Sequence, residues 1–538
     1  MSTKNFSSTQ LNDIVNGILI NSMLLTDGYK LGHKTMYPDN MTKLYSNFTP
    51  RTNKHFPQAT HGAVVFGIQY FIKKYLIDEF QNNFFMRSKN VVVNEYYNLL
   101  LGFLGKEVAD RIGTQHIADL HDLGYLPIKI KALQEGTYCP IGVPLLTITN
   151  TNPKFAWLTN YLETLISNSL WKLINSATTA DVFKRELMRH AMKTGFYNRQ
   201  DTSNIDFLCH DFSMRGLSGI DDAVCVGMSH FTSFSGGETL PGIIGAEYYY
   251  GADNTKTPFA GTIPATEHSI ECSNATDFDG NPDDERYFVE MLKKFPNGFI
   301  SIVADGYDYW NFISKIVPKY KNEIMARNGR VVIRPDSGDP VKIICGDPDA
   351  EDPIVRMGSY EFLCKTFGGT FNKKGYFELD SHIGLIYGDA INMKRQAEIY
   401  KQLEDKGIAA TNLVLGIGSF TYQCSTRDGL GLAMKATYCE IDGKPKEIFK
   451  DPKTTISTGM SKKSLRGLIR VDYDDQYKLV AHDRVTPEEE EKGYLTTVFE
   501  NGRFTDHCTD LYVIRGIRAE CARAAVLEDY PELEADAK

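Results

Sequence analysis

The hydrophobic pattern in the middle of the chain consists of four short apolar runs, each followed by glycine, an acidic residue or arginine. The runs are Phe299–Ala304, Val331–Ile333, Ile383–Tyr387 and Leu413–Leu415. Their length and their β-branched residues predict buried strands, and the spacing between them leaves room for helices. The pattern indicates parallel strands of a β/α barrel, in which ligands bind at the carboxyl ends of the strands.

The residues that follow these runs carry the candidate chemistry. Arg334 can offer a planar pair of donors to a phosphate or a carboxylate. Asp336 can accept hydrogen bonds from sugar hydroxyls or hold a hydrated Mg²⁺ ion. Glycines at strand ends, such as Gly388 and Gly418, let backbone N–H groups approach an anion. The sequence therefore predicts a phosphate-handling barrel, without naming a reaction.

A second pattern, the alternation of apolar and polar residues, occupies regions on either side of the predicted barrel. It covers residues 127–150 and returns after Lys435, where Asp442-Gly443 and Asn501-Gly502 predict hairpin turns. We therefore expect an α/β protein with a β/α barrel at 153–425. A discontinuous β-rich domain is expected at 1–152 plus 426–538, with helical periodicity at 65–111 predicting a helical insertion.

Several local predictions complete this outline. Pro153 opens a helical region, and a second helix is predicted around Asp181–Met192. Ile205–Leu208 is interpreted as a strand, and the acidic run Glu488–Glu491 as a solvated turn. The segment Asp510–Leu533 is predicted to contain a short helix.

Composition narrows the class of protein. The 538 residues carry a net charge of −9, which argues against nonspecific nucleic-acid binding. The ten cysteines form no CxxC pair or zinc-type spacing, so we expect a reduced, cytoplasmic protein. We find no apolar run long enough for a membrane span and no signal-peptide layout at the N-terminus.

Two short segments have both a functional and a structural interpretation. His210–Gly216 contains Phe212 and Arg215, which could bracket a flat ring by stacking and charge, or form a core aromatic with a surface cation. The pair Glu267-His268 could supply a general base or a phosphoryl acceptor. A single histidine is more often structural, and the residues alone leave these alternatives open.

Eight motifs, taken together and in order, resemble those of the nicotinamide phosphoribosyltransferase family. They span much of the chain, from residue 24 to about residue 500. The motifs are Thr26–Lys30, His210–Gly216, Pro264–Ser269, Asp305–Asp308, Ile333–Gly338, Gly388-Asp389, Thr426–Asp428 and Phe449–Pro452. The resemblance implies a type II phosphoribosyltransferase, with an incomplete β/α barrel, a β-rich second domain and an obligate homodimer.

The resemblance also implies a reaction. Nicotinamide and 5-phosphoribosyl-1-pyrophosphate would give nicotinamide mononucleotide and pyrophosphate in NAD salvage. A dissociative, oxocarbenium-like transition state needs ring positioning, a stabilised ribose cation and a neutralised leaving group rather than a strong base. Mg²⁺ would be held mainly by pyrophosphate, with Asp305 nearby and no metal ligand assigned to the protein. ATP would act as a facilitating co-substrate by phosphorylating His268.

Family roles carried over to this sequence define two groups of residues. The base and ribose group would place the ring between Phe212 and the partner subunit's Tyr29, with Asp336 on the ribose hydroxyls. Its other members are Asp27, Arg215, Ser301, Arg334, Gly388, Asp389 and Gly418. The second group would bind pyrophosphate and phosphate across the dimer interface, and consists of Arg51, Arg427, Lys435 and Lys450. Without the resemblance, these four cations would be interpreted as solvated surface charges.

Three positions depart from the family pattern. Glu238 stands where the family has an aspartate that binds the nicotinamide amide, and an acid there would still repel the carboxylate of nicotinate. Gly418-Ser419 replaces a glycine pair, and Ala433 replaces a serine among the phosphate ligands. We expect weaker phosphate binding without loss of activity. The alternatives are a nicotinate-specific relative and a catalytically inactive binding homologue.

Overall fold

The computed structural model describes residues 19–451, 464–505 and 509–536, so that Pro452 of one motif lies outside these ranges. The chain divides into two compact units. The first comprises Met1–Asn175 and Thr426–Thr509, and the second Ser176–Ser425 and Asp510–Lys538. Among the described residues, every helix is too short or too polar to span a lipid bilayer.

This division differs from the predicted domains in two places. The break expected at 153 falls instead inside one continuous helix, Glu163–Thr194, which has no glycine or proline to end it. Asp181–Met192 is therefore part of that helix and not a second one. The segment after residue 509 belongs to the barrel unit, because Arg515 donates hydrogen bonds to the carbonyls of Phe231 and Phe234 at 2.5 and 2.7 Å.

The first unit is organised around a seven-stranded antiparallel sheet. In sheet order its strands are Lys444–Glu447, Ala433–Ile441, Met41–Thr49, Leu146–Asn150, Ile128–Ala132, Thr496–Glu500 and Arg503–Phe504. Both predicted hairpin turns are confirmed. Asp442 and Asn501 adopt positive φ angles of 53° and 50°, which tight hairpin turns require and which Asp and Asn tolerate.

Helices and two small ribbons complete the first unit. The ribbons pair Ala63–Val64 with Tyr138–Cys139 and Leu468–Tyr473 with Leu479–Val485. The α-helices are Ile68–Phe71, Lys89–Leu104, Lys106–Ile112, Gln115–Leu123, Leu158–Tyr161 and Pro487–Glu490. Two further segments are π-helical, Ile72–Glu79 and Gln81–Phe85. Four are 3-10 helices, Ser22–Leu24, Gly28–Thr35, Pro153–Phe155 and Arg427–Gly429.

The prediction of a solvated turn at Glu488–Glu491 was wrong for one of its residues. Glu490 is 8% exposed and lies 3.1 Å from the buried ammonium of Lys131, measured from Oε2 to Nζ. The helical turn directs this carboxylate towards the seven-stranded sheet. A buried lysine needs an acidic partner, and the alternation of charge along the sequence does not reveal that pairing.

The second unit is an incomplete β/α barrel. Its six-stranded parallel sheet has the order Gly236–Gly237, Cys209–Phe212, Leu413–Gly418, Ile383–Tyr387, Gly329–Arg334 and Gly298–Val303. Isolated parallel bridges join Gly236 to Gly261 at one edge of the sheet and Ala265 to Ser301 at the other. The segment 261–265 therefore links the two edges in place of regular strands.

All four apolar runs that open the sequence analysis form strands of this sheet. The strand predicted at Ile205–Leu208 begins later, at Cys209, and Ser203–Asp206 is helical. The Thr202 hydroxyl donates to the Asp206 carboxylate at 3.1 Å, which closes a helical turn where the apolar pattern predicted a strand. The correction leaves Phe212 at the carboxyl end of its strand.

The remaining elements cover this parallel sheet. A small sheet contains Gly369–Phe371, Phe377–Leu379 and Ile408–Ala409. The longer helices are Ile220–His230, Leu240–Tyr250, His268–Ala275, Asp284–Lys294, Ser359–Phe367, Met393–Asp405 and Leu511–Asp529. Shorter helical pieces are Met214–Gly216, Tyr309–Asn311, Phe312–Ile316, Val317–Lys319, Lys321–Ala326, Pro340–Cys345, Pro353–Met357, Ser419–Gln423 and Pro531–Asp536.

The core of the second unit is continuous with its sheet. Ile302, Val331, Ile333, Leu385 and Leu415 are fully buried and belong to one hydrophobic cluster. The cluster includes Ala522 and Val526 of the C-terminal helix. This burial explains why strands that end in polar residues can hold those residues at fixed positions.

A buried histidine makes the first unit sensitive to acid. The ring of His116 packs edge-on against Trp157 and Tyr96, with centroids 5.0 and 5.7 Å apart, and burial lowers its pKa to about 4. The positive charge of Lys34 contributes in the same direction. Below about pH 6.5 the unfolded chain binds a proton that the folded chain refuses, so stability falls as the pH approaches 4.

Between about pH 7 and pH 4.5, we expect the free energy of unfolding to fall by about 2 kcal/mol less in His116→Phe than in wild type. Phenylalanine keeps the ring contacts but does not titrate. Urea unfolding of both proteins at the two pH values measures this difference. An equal acid-induced loss in wild type and variant would contradict the assignment.

Candidate active site

Eight of the predicted site residues line a single cavity at the carboxyl ends of the parallel strands. The cavity has a volume of about 1190 Å³ and belongs to the second unit. The eight residues are Phe212, Arg215, Glu238, Arg334, Asp336, Gly388, Asp389 and Gly418. Their common position follows from the fold, because parallel strands bring their ends to the same edge.

Glycines make room for the aromatic ring in this cavity. A Cβ atom at Gly416 would lie 2.3 Å from the Phe212 ring, and one at Gly388 would lie 3.0 Å from it. The turn after Phe212 is fixed by Asp211, which accepts hydrogen bonds from the backbone N–H and the hydroxyl of Ser213 at 2.9 and 2.6 Å. The half-buried ring lines the cavity, where a flat ligand can stack on it.

Charged groups on neighbouring strand ends form a connected set. The Arg334 guanidinium lies 3.6 Å from the Asp336 carboxylate, measured from Nη2 to Oδ2. The backbone N–H of Asp336 donates to Oδ2 of Asp305 at 2.9 Å. Arg334 is paired but keeps donors for an anion, and Asp336, whose side chain is 30% exposed, remains available for hydroxyls or a hydrated cation.

His268 lies at the start of the helix His268–Ala275 and pairs with Asp305. Its Nε2 is 3.1 Å from Oδ1 of that carboxylate, and the histidine side chain is 45% exposed. A carboxylate on one ring nitrogen fixes the orientation of the imidazole. The ring is therefore both oriented and accessible.

Sequence reasoning missed Glu271, which lies one turn further along the same helix. Burial raises the pKa of this carboxyl to about 7, and the negative charges of Asp284 and Asp305 add to the effect. Ligand atoms of His268, Glu271 and Asp305 all lie within 4.8 Å of one another, so the three could hold a metal ion. The available signal was the spacing of three residues from His268, which places both side chains on one helix face.

Two further residues of the cavity were missed. Arg395, in the first turn of the helix Met393–Asp405, lines it and donates to the carbonyl of Ala390 at 2.6 Å. Phe420 also lines it and is 73% exposed. Neither follows an apolar strand run directly, which is the feature that identified the other residues.

The predicted base-contacting acid is held by a neighbouring hydroxyl. Thr262 donates a hydrogen bond to Oε1 of Glu238 at 2.5 Å. Ser301 is buried nearby in the parallel sheet, and its hydroxyl has no partner among the described residues. Ser419 lines the cavity, so the departure at this position adds a hydroxyl group to it.

The four predicted phosphate-binding cations lie in the first unit and influence one another. Burial lowers the pKa of Lys435, and the positive charges of Arg51, Lys450 and Arg427 lower it further. The pKa of Arg51 is also lowered, first by burial and then by Arg427. Cations held this close repel each other, which makes the cluster suited to an anion of high charge.

Three more predicted residues belong to this unit. Tyr29 is 61% exposed, and the Asp27 carboxylate accepts a hydrogen bond from the Thr164 hydroxyl at 2.8 Å. Ala433 begins the strand Ala433–Ile441 and offers no hydroxyl there. The predicted site residues therefore form two sets, one in each unit.

Comparison with known proteins adds independent observations. The family model described as the nicotinate phosphoribosyltransferase (NAPRTase) family matches residues 207–503. A model for the N-terminal domain of nicotinamide phosphoribosyltransferase matches residues 21–130. The chain is 42% identical over 497 residues to a nicotinamide phosphoribosyltransferase of Acinetobacter baylyi, covering 90% of this chain and 94% of the relative.

A second relative and a solved structure agree with these matches. The nicotinamide phosphoribosyltransferase of Mycoplasma pneumoniae is 32% identical, over 80% of this chain and 92% of its own. The crystal structure of human nicotinic acid phosphoribosyltransferase is similar with a TM-score of 0.51 at 13% identity, covering 93% of each chain. This likeness concerns the fold, and it confirms the predicted incomplete barrel with a β-rich second domain.

Proposed function

The chain belongs to the nicotinamide phosphoribosyltransferase family, and we propose that it transfers phosphoribosyl from 5-phosphoribosyl-1-pyrophosphate to nicotinamide. The products are nicotinamide mononucleotide and pyrophosphate, and the reaction is a step of NAD salvage. One observation carries the proposal: a single cavity holds an aromatic platform, an acid for an amide, and an arginine–aspartate pair beside glycines. These are the parts that a pyridine amide and a sugar phosphate need.

The chemistry follows from the positions of these side chains. The pyridine nitrogen attacks the anomeric carbon, and the bond to pyrophosphate breaks. Phe212 supports the ring, while Arg215 lies at the same wall of the cavity. Asp336 binds the ribose hydroxyls and stabilises the positive charge that develops on the sugar, with Arg334 oriented beside it. The ring nitrogen carries its own lone pair, so no general base is required.

Glu238 is proposed to select nicotinamide over nicotinate. Its carboxylate, held by Thr262, accepts a hydrogen bond from the amide NH₂ and repels a second carboxylate. The direct test is product formation from phosphoribosyl pyrophosphate and Mg²⁺ with nicotinamide and nicotinate in parallel. Turnover of nicotinamide supports the proposal, turnover of nicotinate alone overturns the base assignment, and turnover of neither overturns the enzyme.

The donor set around the cavity fits Mg²⁺ carried by the substrate. Asp336 and Asp389 line the cavity and offer carboxylate oxygens, the ligands that hydrated Mg²⁺ prefers, and Asp305 accepts the backbone N–H of Asp336 behind them. When bound, the ion neutralises charge on the leaving pyrophosphate. We propose that these residues hold it through its water molecules while pyrophosphate supplies the direct ligands.

We further propose a homodimer in which Tyr29 and Arg51 of one subunit serve the cavity of the other. An exposed apolar face supports an interface: Leu240, Ile244 and Tyr248, spaced four residues apart on one helix, are 63, 66 and 68% exposed. A cytoplasmic location is also proposed. None of the nine cysteines in the described part of the chain forms a disulfide, as expected where disulfides are rare.

Phe212 depends on the glycine beside it, which gives a prediction about base binding. We expect Gly416→Ala to raise the KM for nicotinamide at least about tenfold, because a Cβ 2.3 Å from the ring must displace it. Steady-state kinetics measure the change. Gly102→Ala is the control, since a Cβ there has no neighbour within 4 Å. An unchanged KM for nicotinamide in Gly416→Ala would count against the stacking role.

ATP is proposed to assist by transferring its γ-phosphoryl group to Nδ1 of His268, with ADP as the leaving group, because Asp305 orients the ring through Nε2 and the side chain is accessible. We expect His268→Ala to lose the stimulation by ATP while keeping ATP-independent synthesis, because the acceptor nitrogen is gone. The matched control is His382→Ala. His382 also pairs with an acid, Asp380, at 2.7 Å, but it precedes the strand Ile383–Tyr387 and so lies at the opposite edge of the sheet from the cavity. Equal stimulation of His268→Ala and wild type would refute this role.

A further inference from the structure

The side chains of His268, Glu271 and Asp305 lie close together, where the first turn of one helix meets the end of one strand. A ligand atom of each lies within 4.8 Å of the ligand atoms of the other two. His268 and Glu271 are three residues apart in the helix His268–Ala275, so they project from one face. Asp305 follows the strand Gly298–Val303 and faces them. The geometry resembles a ligand set more than a chance surface cluster, because two of the three groups are buried.

Glu271 is the unusual member of this set. It is fully buried, and neither carboxyl oxygen has a hydrogen-bond partner of normal geometry among the described residues. The backbone N–H of Gly306 acts against the rise in the pKa of this carboxyl, and a Cβ at Gly306 would lie 2.5 Å from Oε2. The fold thus leaves space for the Glu271 carboxylate but places no cationic side chain in hydrogen-bond contact with it among the described residues. A buried carboxylate in this position is costly unless a cation or a proton joins it.

We propose that His268, Glu271 and Asp305 form a binding site for a divalent transition-metal ion of the zinc and cobalt class. Two carboxylates and a neutral imidazole balance the charge of one divalent ion. An imidazole ligand favours zinc or cobalt over magnesium. The site therefore differs from the Mg²⁺ that pyrophosphate carries.

The distances suit a small ion. Nε2 of His268 and Oδ1 of Asp305 are 3.1 Å apart. Two ligands on a tetrahedral zinc ion, each bonded at about 2.1 Å, lie about 3.4 Å apart, so this pair needs a shift of only a few tenths of an ångström. The ligand atom of Glu271 lies within 4.8 Å of both and completes the set by moving towards them. The second oxygen of Asp305 accepts the N–H of Asp336 at 2.9 Å, which fixes the carboxylate as outer partners do in metal sites.

The ion enters from the side of His268. This side chain is 45% exposed, whereas that of Asp305 is 4% exposed, so the remaining coordination position faces solvent. A consequence rests on the proposed function: an ion on Nε2 shifts the ring proton to Nδ1, whose lone pair is then no longer free to accept a phosphoryl group. Zinc is then expected to abolish stimulation by ATP while ATP-independent synthesis continues.

Titration of the full-length protein with Co²⁺, followed by visible absorption in millimolar Mg²⁺, tests the site. We expect one Co²⁺ per chain that gives d–d absorption. The apparent dissociation constant should rise at least about tenfold in Glu271→Gln and in His268→Ala, since even outer-shell partners contribute about 10- to 100-fold. Cys272→Ser, a change at the adjacent residue of the same helix, should bind as wild type does.

Three results would overturn the site: no Co²⁺ bound, equal binding in wild type and both ligand variants, or loss of binding in Cys272→Ser, which indicates a thiolate. If Glu271→Gln fails to fold, the half-exposed His268 provides the second variant. Bound Co²⁺ with undiminished stimulation by ATP supports the metal site and refutes phosphorylation of the His268 imidazole. Co²⁺ binding thus tests the metal site, and turnover with and without ATP tests the proposed function, so the two can fail separately.

Discussion

Replacing Asp336 by asparagine is expected to lower kcat/KM by about 10²- to 10³-fold, with most of the loss in kcat. The change preserves size but removes the negative charge that faces the developing ribose cation. Loss of one preorganised electrostatic contact costs about 3–4 kcal/mol of transition-state stabilisation. The Arg334 guanidinium, 3.6 Å from this carboxylate, would also lose its partner and add an uncompensated positive charge.

Asp339→Asn is the matched control for this variant. Asp339 lies three residues away and caps the helix Pro340–Cys345 by accepting from the N–H of Val341 at 2.9 Å. Asparagine caps helices equally well, so the control makes the same change of charge without disturbing the fold. Steady-state kinetics give kcat and kcat/KM for both variants, and only Asp336→Asn is expected to show the loss. A loss below about tenfold in Asp336→Asn would mean that this carboxylate does not face the reacting sugar.

The second large effect is expected at Arg51. Arg51→Gln should raise the KM for phosphoribosyl pyrophosphate by about 10- to 100-fold and leave the KM for nicotinamide nearly unchanged. Hydrogen bonds between charged groups contribute about 1.5–3 kcal/mol each. The variant should be about as stable as wild type, because loss of the hydrogen bond from Nε of Arg51 to the carbonyl of Gly431 is offset by relief of the repulsion between Arg51 and Lys435.

Lys43→Gln provides the control for the loss of a cation from the same strand region. Lys43 lies 3.9 Å from the carboxylate of Glu440 and is outside the cluster of four cations. Its replacement should change neither KM. An unaltered KM for phosphoribosyl pyrophosphate in Arg51→Gln would show that the cluster binds something other than the substrate.

The barrel and its cavity were predictable because their signals are local. A buried parallel strand appears in the sequence as a short apolar run. The residues that follow the run, such as Asp336 or Gly388, then lie at the ligand-binding edge of the sheet. Hairpin turns at Asp442 and Asn501 are equally local, since few residues tolerate a positive φ. Family resemblance then supplied roles that spacing alone left open.

The remaining features depend on contacts between distant parts of the chain. Arg515 ties the C-terminal helix to carbonyl groups almost 300 residues earlier, at Phe231 and Phe234. The buried pair of Glu490 and Lys131 belongs to the same class of contact. No periodicity in the sequence encodes such partners, so the end of the chain was assigned to the wrong unit.

Glu271 shows the same limit at the candidate site. The sequence indicates which face of the helix Glu271 occupies. Its burial, however, depends on Gly306, which follows a different strand and leaves space for the carboxylate. A glutamate three residues after a histidine is common on helix surfaces. Only the packing of the two segments distinguishes this residue from a solvated acid.

The central claim is that a complete site needs the cavity of one subunit and the cations of its partner. Mixing Asp336→Asn and Arg51→Gln subunits, after reversible dissociation, tests it directly. If the site is shared, random reassociation gives half heterodimers with one intact site each. Activity measured at phosphoribosyl pyrophosphate concentrations well below the wild-type KM, where both parent variants are weak, then recovers to about a quarter of wild type. If each chain builds its own site, every site in the mixture carries a substitution, and activity that stays at the level of the separate variants would contradict the claim.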